Sequence, residues 1–282
     1  MSAFSDYTLV LGVDRNHIEH FKLVWPTWCR HKISMVNHPL VIFYDRQMDF
    51  RELDPVIQMV DAHPDLMVRP WPDDGVEFVG DTNSRWHHPQ RVKMLSGFVH
   101  IPARTVRTDY WLKLDLDVIA TDLDNWVNPR WFDNQPAIVG HPWGYTKPAD
   151  QMLLLDQWVE RHRSRILPSF VQNGPLNLSP KPGSTLVSHD RIISWCAFFN
   201  TDFTIAAAQA AEMTCGPCRL PVPSQDGYLW YMAKRGGYGI RRIRMKELGW
   251  SHQSRLDRIR DIVELEESAP WQAPWPNEAV GR

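Results

Sequence analysis

Apolar residues fall into short unbroken blocks along this chain, and in its first half the blocks stop at charged residues. Thr8-Leu9-Val10-Leu11-Gly12-Val13 stops at Asp14-Arg15-Asn16, and Pro39-Leu40-Val41-Ile42-Phe43-Tyr44 stops at Asp45-Arg46. Uninterrupted runs predict strands buried on both faces, because a strand with one wet face alternates instead. Further strands are expected over Leu66 to Trp71, Tyr110 to Ile119, Ala137 to Gly140 and Ile192 to Asn200, with a basic one over Tyr238 to Arg244. Between the blocks the apolar spacing becomes helical. His17 to His31 sets Phe21, Val24, Trp25 and Trp28 on one side, with an interruption expected at Pro26. Other helices are expected around Leu53 to Val60, from Gln90 with Val92, Leu95, Phe98 and Val99 on one face, and over Asp150 to Arg165. Three more follow, over Phe203 to Glu212, from Pro223 to Met232 and over Ser254 to Glu267. Strands alternating with helices predict an α/β fold, with a mixed, mainly parallel central sheet flanked by helices.

The block from Tyr110 to Ile119 carries the chemistry. Asp115 and Asp117 stand two apart in it and are expected at the carboxyl end of a buried strand. In an open α/β sheet the ligand crevice lies outside those ends. Paired hard oxygen ligands there suit Mn²⁺ or Mg²⁺ with bound phosphate. Solvated strand-end acids are the alternative, but a solvated turn would not need apolar residues on both flanks. Val13, Asp14, Arg15 and Asp45 occupy strand ends of the same kind and are candidate ligand contacts. Arg91 and Lys93 lie off the apolar face of the helix from Gln90, placed to reach a diphosphate or simply to face water.

Composition narrows the reading. In 282 residues, 31 basic and 33 acidic side chains are interspersed, which argues against a dedicated nucleic-acid or membrane-surface binder. No window is long and apolar enough for a membrane span, and no signal peptide is expected from Met1 to Tyr7. Four cysteines without a regular framework fit a reducing compartment and predict a cytoplasmic protein. Cys215-Gly216-Pro217-Cys218 matches the thioredoxin redox motif, yet it follows a helix and runs into Pro221 and Pro223, so a turn is expected. His87 and His88 are adjacent and read as loop, since neighbours rarely point into one metal site. Fourteen tryptophans supply core, and Trp143, Trp195 and Trp250 are candidate platforms for sugar rings. Proline-rich residues 167 to 188 predict a hinge or lid, and the tail from 269 to 282 is expected to be mobile.

Taken in order, these features resemble the GT-A glycosyltransferases, single-domain α/β enzymes that use nucleotide-diphosphate sugars. The resemblance spans nearly the whole chain on short motifs: Leu9 to Val13, Asp115-x-Asp117, Asp226 and His252. It implies that Leu9 to Val13 starts the nucleotide pocket, with Val13, Asp14, Arg15, Asp45, Arg91, Lys93 and Asp115 as donor contacts. It also implies that His252 joins Asp115 and Asp117 around Mn²⁺ or Mg²⁺. Asp226 would open an acceptor-side helix as the base of an inverting enzyme, or else orient the acceptor or stabilise the oxocarbenium-like centre of a retaining one. The family usually places an acid before that carboxylate, and Gln225 stands there instead. Residues 1–145 are then the donor half and 146–268 the acceptor half. The donor would be a UDP- or GDP-sugar, and the acceptor a glycan, a lipid-linked sugar, a protein or a nucleobase. Two alternatives are a phosphatase of the haloacid dehalogenase type and a non-catalytic carbohydrate-binding protein. The phosphatase family places Gly-Thr soon after its second Asp, where this chain has Val118-Ile119.

Overall fold

The first two apolar blocks become β1 (Tyr7–Val13) and β2 (Leu40–Tyr44), separated by α1 (Ile18–His31). The structure is a computed structural model describing residues 6–70, 77–78, 102, 104–121, 127–176, 178, 182, 186–215, 219–220, 225–252 and 255–267. In residues 77–78, 143–152, 186–191, 193–194, 212–215, 219–220, 225–226 and 265–267 it describes the backbone alone. After β2 come α2 (Asp54–Val60), β3 (Met67–Pro70), β4 (Glu77–Phe78), β5 (Tyr110–Leu114) and β6 (Val118–Ala120). The second half holds β7 (Ile138–Pro148), α3 (Ala149–Arg161), β8 (Leu186–Asn200), α4 (Thr201–Cys215), β9 (Arg219–Leu220) and α5 (Gln225–Arg235). It closes with β10 (Ile240–Arg242), α6 (Met245–Leu248), β11 (Trp250–His252) and α7 (Leu256–Glu267). The helix expected from Gln90, the His87-His88 pair, Gly216 to Cys218 and the tail from 269 lie outside the described residues.

Among the described residues, seven strands form one sheet in the order β10-β7-β8-β5-β1-β2-β3. β1 pairs parallel with both β2 and β5, β2 with β3, and β7 with β10, while β8 alone runs antiparallel to its neighbours β5 and β7. The sheet is therefore mixed and mainly parallel, as the alternation of blocks predicts. Alternate residues of β1 explain why its run has no polar gap. Leu9, Leu11 and Val13 pack with α1, whereas Val10 joins Trp111 and the core under α3, α4 and α5.

Three local expectations change. α1 runs through Pro26 without ending: Pro26 is exposed, and Lys22, whose carbonyl it leaves without an amide, is half-buried. β7 and β8 outlast the sequence reading: β7 continues through His141-Pro142-Trp143-Gly144, and β8 begins at Leu186, inside the stretch expected to be irregular. Each ladder supplies the other's hydrogen bonds, with a register shift between Gly140 and Pro142 that accommodates the proline. The block from Tyr110 to Ile119, expected as one strand, breaks at its acids. The Asp115 amide still bonds the Trp195 carbonyl at 3.0 Å, after which the chain turns and β6 leaves the main sheet to pair with β11. A strand continued through Asp117 would set both carboxylates on one face of the sheet, under its covering layer. α1 holds the departing strand, since Trp28 Nε1 donates to the Val118 carbonyl at 2.6 Å and Thr27 Oγ1 accepts from the Ala120 amide at 3.1 Å.

Candidate functional site

Three parallel strands end in acids side by side: β2 at Asp45, β1 at Asp14 and β5 at Asp115. Asp45 donates its backbone N–H to the Val13 carbonyl at 2.9 Å and accepts the Gln47 N–H at 3.0 Å on Oδ1. Asp14 is nearly buried. Its Oδ1 accepts from the amides of Asn16 (2.8 Å) and His17 (3.0 Å) and from Nδ1 of His17 (2.8 Å). Arg15 points elsewhere, forking the Glu52 carboxylate at 2.6 and 2.7 Å in a partly exposed pair. Held there, it approaches a ligand only by giving up that fork.

His252 arrives at this edge by strand pairing. β11 lies antiparallel to β6 with His252 opposite Val118, which sets the imidazole against the residue before it. His252 Nε2 stands 3.2 Å from Asp117 Oδ2, and Asp115, Asp117 and His252 each offer a ligand atom within 4.8 Å of the others. The imidazole ring stacks on Trp195 at 5.7 Å between centroids. Asp115 also pairs with Lys113, a buried ammonium on β5.

Electrostatics tie these groups together. Burial would raise the Asp117 carboxyl, but the hydrogen bond and charge of His252, helped by His17, outweigh it and hold Asp117 below the usual carboxylate range. His252 shows the converse: burial lowers it, the bond to Asp117 and the charges of Asp117 and Asp115 outweigh burial, and its pKa rises. Asp117 Oδ1 is buried and has no hydrogen-bond partner among the described residues. A buried carboxylate oxygen left bare is costly. Two carboxylates and an imidazole around it form a donor set that fits a divalent cation of the Mn²⁺ kind.

Among the other expected residues, Asp226 lies in the first turn of α5 by its backbone, while Arg91 and Lys93 lie outside the described residues. Trp195 and Trp250 are buried, Trp250 edge-on to Trp28 with the Lys32 ammonium 5.2 Å above its ring, so neither presents an open face to a sugar. The side chain of Trp143 lies outside the description. Two side chains at the edge, Lys113 and His17, were not foreseen. Lys113 reads as an interruption of an apolar strand, and a charge inside such a block is the signal that a partner sits beside it. His17 follows Asp14 by three residues at a helix start, one beyond the Asx turn that the Asp14 carboxylate closes on the Asn16 amide. A cavity of about 440 Å³ bordered by Arg107, Asp109, Tyr110, Asn200 and Asp202 lies at the amino end of β5, away from these acids.

No protein-family model matches the chain, and no curated protein matches it in sequence. Solved structures do match. The mannosyltransferase Ktr4p from S. cerevisiae in complex with GDP superposes with a TM-score of 0.59 at 10% identity, covering 89% of this chain and 72% of that one. Core-mannan synthase A from Aspergillus fumigatus, in a Mn/GDP form, gives 0.55 at 13% identity over 89% and 75% of the two chains. At such identities the likeness speaks for architecture: the chain has the GT-A fold. Among the described residues no helix is long and apolar enough to cross a membrane.

Proposed function

We propose that this protein is a metal-dependent glycosyltransferase that moves a sugar from a nucleotide-diphosphate sugar to an acceptor hydroxyl. One observation carries the reading: in this fold, at the carboxyl edge of the sheet, Asp115, Asp117 and His252 converge with one buried carboxylate oxygen unpaired. Asp115, Asp117 and His252 would hold Mn²⁺ or Mg²⁺. When bound, such an ion supplies Lewis-acid neutralisation of the diphosphate leaving group. Val13, Asp14, Arg15 and Asp45 border the nucleotide in this reading, and Arg91 and Lys93 reach the diphosphate. Asp226 serves the acceptor, taking the proton of the attacking hydroxyl. Residues 1–145 form the donor half and 146–268 the acceptor half, with the boundary falling inside β7, so that both share one sheet. A GDP-sugar is the first donor to test, because the Ktr4p and core-mannan synthase A structures named above carry GDP.

The test is thermal unfolding with GDP-mannose, GDP and UDP, each with and without Mn²⁺. A ligand present at a hundred times its dissociation constant stabilises the folded state by about 2.7 kcal/mol, a shift of several degrees. We expect the shift only with metal present, its loss in Asp117→Ala, and its retention in Asp226→Asn, which loses transfer alone. A shift indifferent to metal and to Asp117→Ala overturns the proposal.

A further inference from the structure

β1 and β5 leave the sheet in step. Leu11 pairs with Leu114, so the turn after β1, which contains Asp14 and His17, emerges beside the turn that carries Asp115 and Asp117. His17 is the N-cap residue of α1, yet its side chain makes no capping bond. The Asp14 carboxylate binds it instead: the same Oδ1 accepts from the His17 amide and from Nδ1–H, which fixes the ring plane and means that Nε2 carries a proton in the imidazolium form. Nε2 is then the outward nitrogen, and among the described residues it has no hydrogen-bond partner. The side chain is 28% exposed, so it is reachable from the crevice. Burial would lower the pKa of the ring, but the bond and charge of Asp14, helped by the charges of Asp117 and Asp115, outweigh it and favour the protonated form.

The charge balance of the edge asks for such a group. Asp14, Asp45, Asp115 and Asp117 line it, and a diphosphate adds more negative charge than one divalent cation removes. Lys113 is buried against Asp115, and Arg15 is forked by Glu52. Resting on the donor site proposed above, we propose that His17, held by Asp14 as an imidazolium, is a further substrate-contacting residue whose Nε2–H donates to a diphosphate oxygen of the nucleotide sugar. In the transfer, the bond between the anomeric carbon and the β-phosphate oxygen breaks with its electron pair left on that oxygen, and the acceptor oxygen bonds the carbon. His17 passes no proton; its hydrogen bond strengthens as charge gathers on the departing diphosphate.

Calorimetry on the full chain separates this inference from the parent one. Mn²⁺ alone is titrated first, then GDP, UDP, ADP, CDP and dTDP with Mn²⁺ present, against the wild type, Asp117→Ala, His17→Leu and His17→Gln. His17→Leu is expected to bind Mn²⁺ alone as the wild type does and to weaken the preferred diphosphate by about ten- to hundredfold, the loss of one charge-assisted hydrogen bond. Gln sets an amide N–H near the position of Nε2, so His17→Gln recovers most of that loss, which a purely structural role for the ring would not produce. If Asp117→Ala abolishes Mn²⁺ binding while His17→Leu binds the diphosphate like the wild type, the inference falls and the glycosyltransferase reading stands. Loss of Mn²⁺ binding in His17→Leu together with failure of Gln to rescue assigns the ring to folding and overturns the inference as well. If no diphosphate binds the wild type, both fall together.

Discussion

Single side chains at the carboxyl edge are placed by their partners. Asp14 orients His17, Lys113 pairs with Asp115, and His252 holds Asp117 ionised. The same logic governs Arg15 and Glu52, away from the cation ligands. The forked bond from Arg15, helped by the Asp49 amide, pulls the Glu52 carboxyl from its ordinary value of 4.5 down to about 2. A folded-state pKa below the unfolded one stabilises the protein above the unfolded value, and that stabilisation is lost as pH falls through the folded one. Glu52→Gln should therefore melt below the wild type at neutral pH, the gap closing between pH 4.5 and about 2. Melting temperature against pH for both proteins checks this, and parallel curves would refute it. At this scale the Asp115-x-Asp117 spacing was legible, because apolar flanks around two acids are visible in one dimension. The arrival of His252 was foreseen through resemblance only, and no local pattern marks its partner.

At the scale of elements, burial made β1, β2 and β5 readable, because apolar runs without polar gaps leave little else for them to be. β7 and β8 were read short for the opposite reason. His141-Pro142-Trp143-Gly144 and the residues from Leu186 to Asp190 carry turn-forming types, and only mutual pairing makes them strands. That pairing is close. A Cβ built on Gly140 would lie 2.5 Å from Ile192 Cγ2 and 3.3 Å from Ala197 Cβ. Gly140→Ala is accordingly expected to cost about 1–3 kcal/mol through overpacking. Chemical denaturation reads the cost directly, and an unchanged midpoint would show that β8 yields without strain. α1 teaches a related lesson: Pro26 should end a helix in isolation, but packing of Phe21, Val24, Trp25 and Trp28 carries it through.

Across the whole molecule, a second polar cluster joins the helices of the later half. Arg235 on α5 is fully buried, pairs with Glu160 of α3 and lies 3.5 Å from Asp156 Oδ1. Asp156 also accepts from the Tyr231 hydroxyl and from the Leu176 amide at 3.1 Å. Arg235→Met would leave the buried Asp156 without its cation, and we expect a loss of about 3 kcal/mol, measured by denaturation. A stability equal to the wild type would mean that the cluster contributes no net energy.

The sequence alone determined the class of fold and the position of the paired acids, since both are written in short-range patterns: apolar runs, helical spacing and the residues that stop them. Where those acids point was decided in three dimensions. The break after Leu114 and the pairing of β6 with β11 bring His252 to Asp117, and the register of β1 with β5 sets His17 beside them. Such contacts join residues far apart in the chain, and they exist only once the sheet has buried its apolar faces and fixed which strand ends become neighbours.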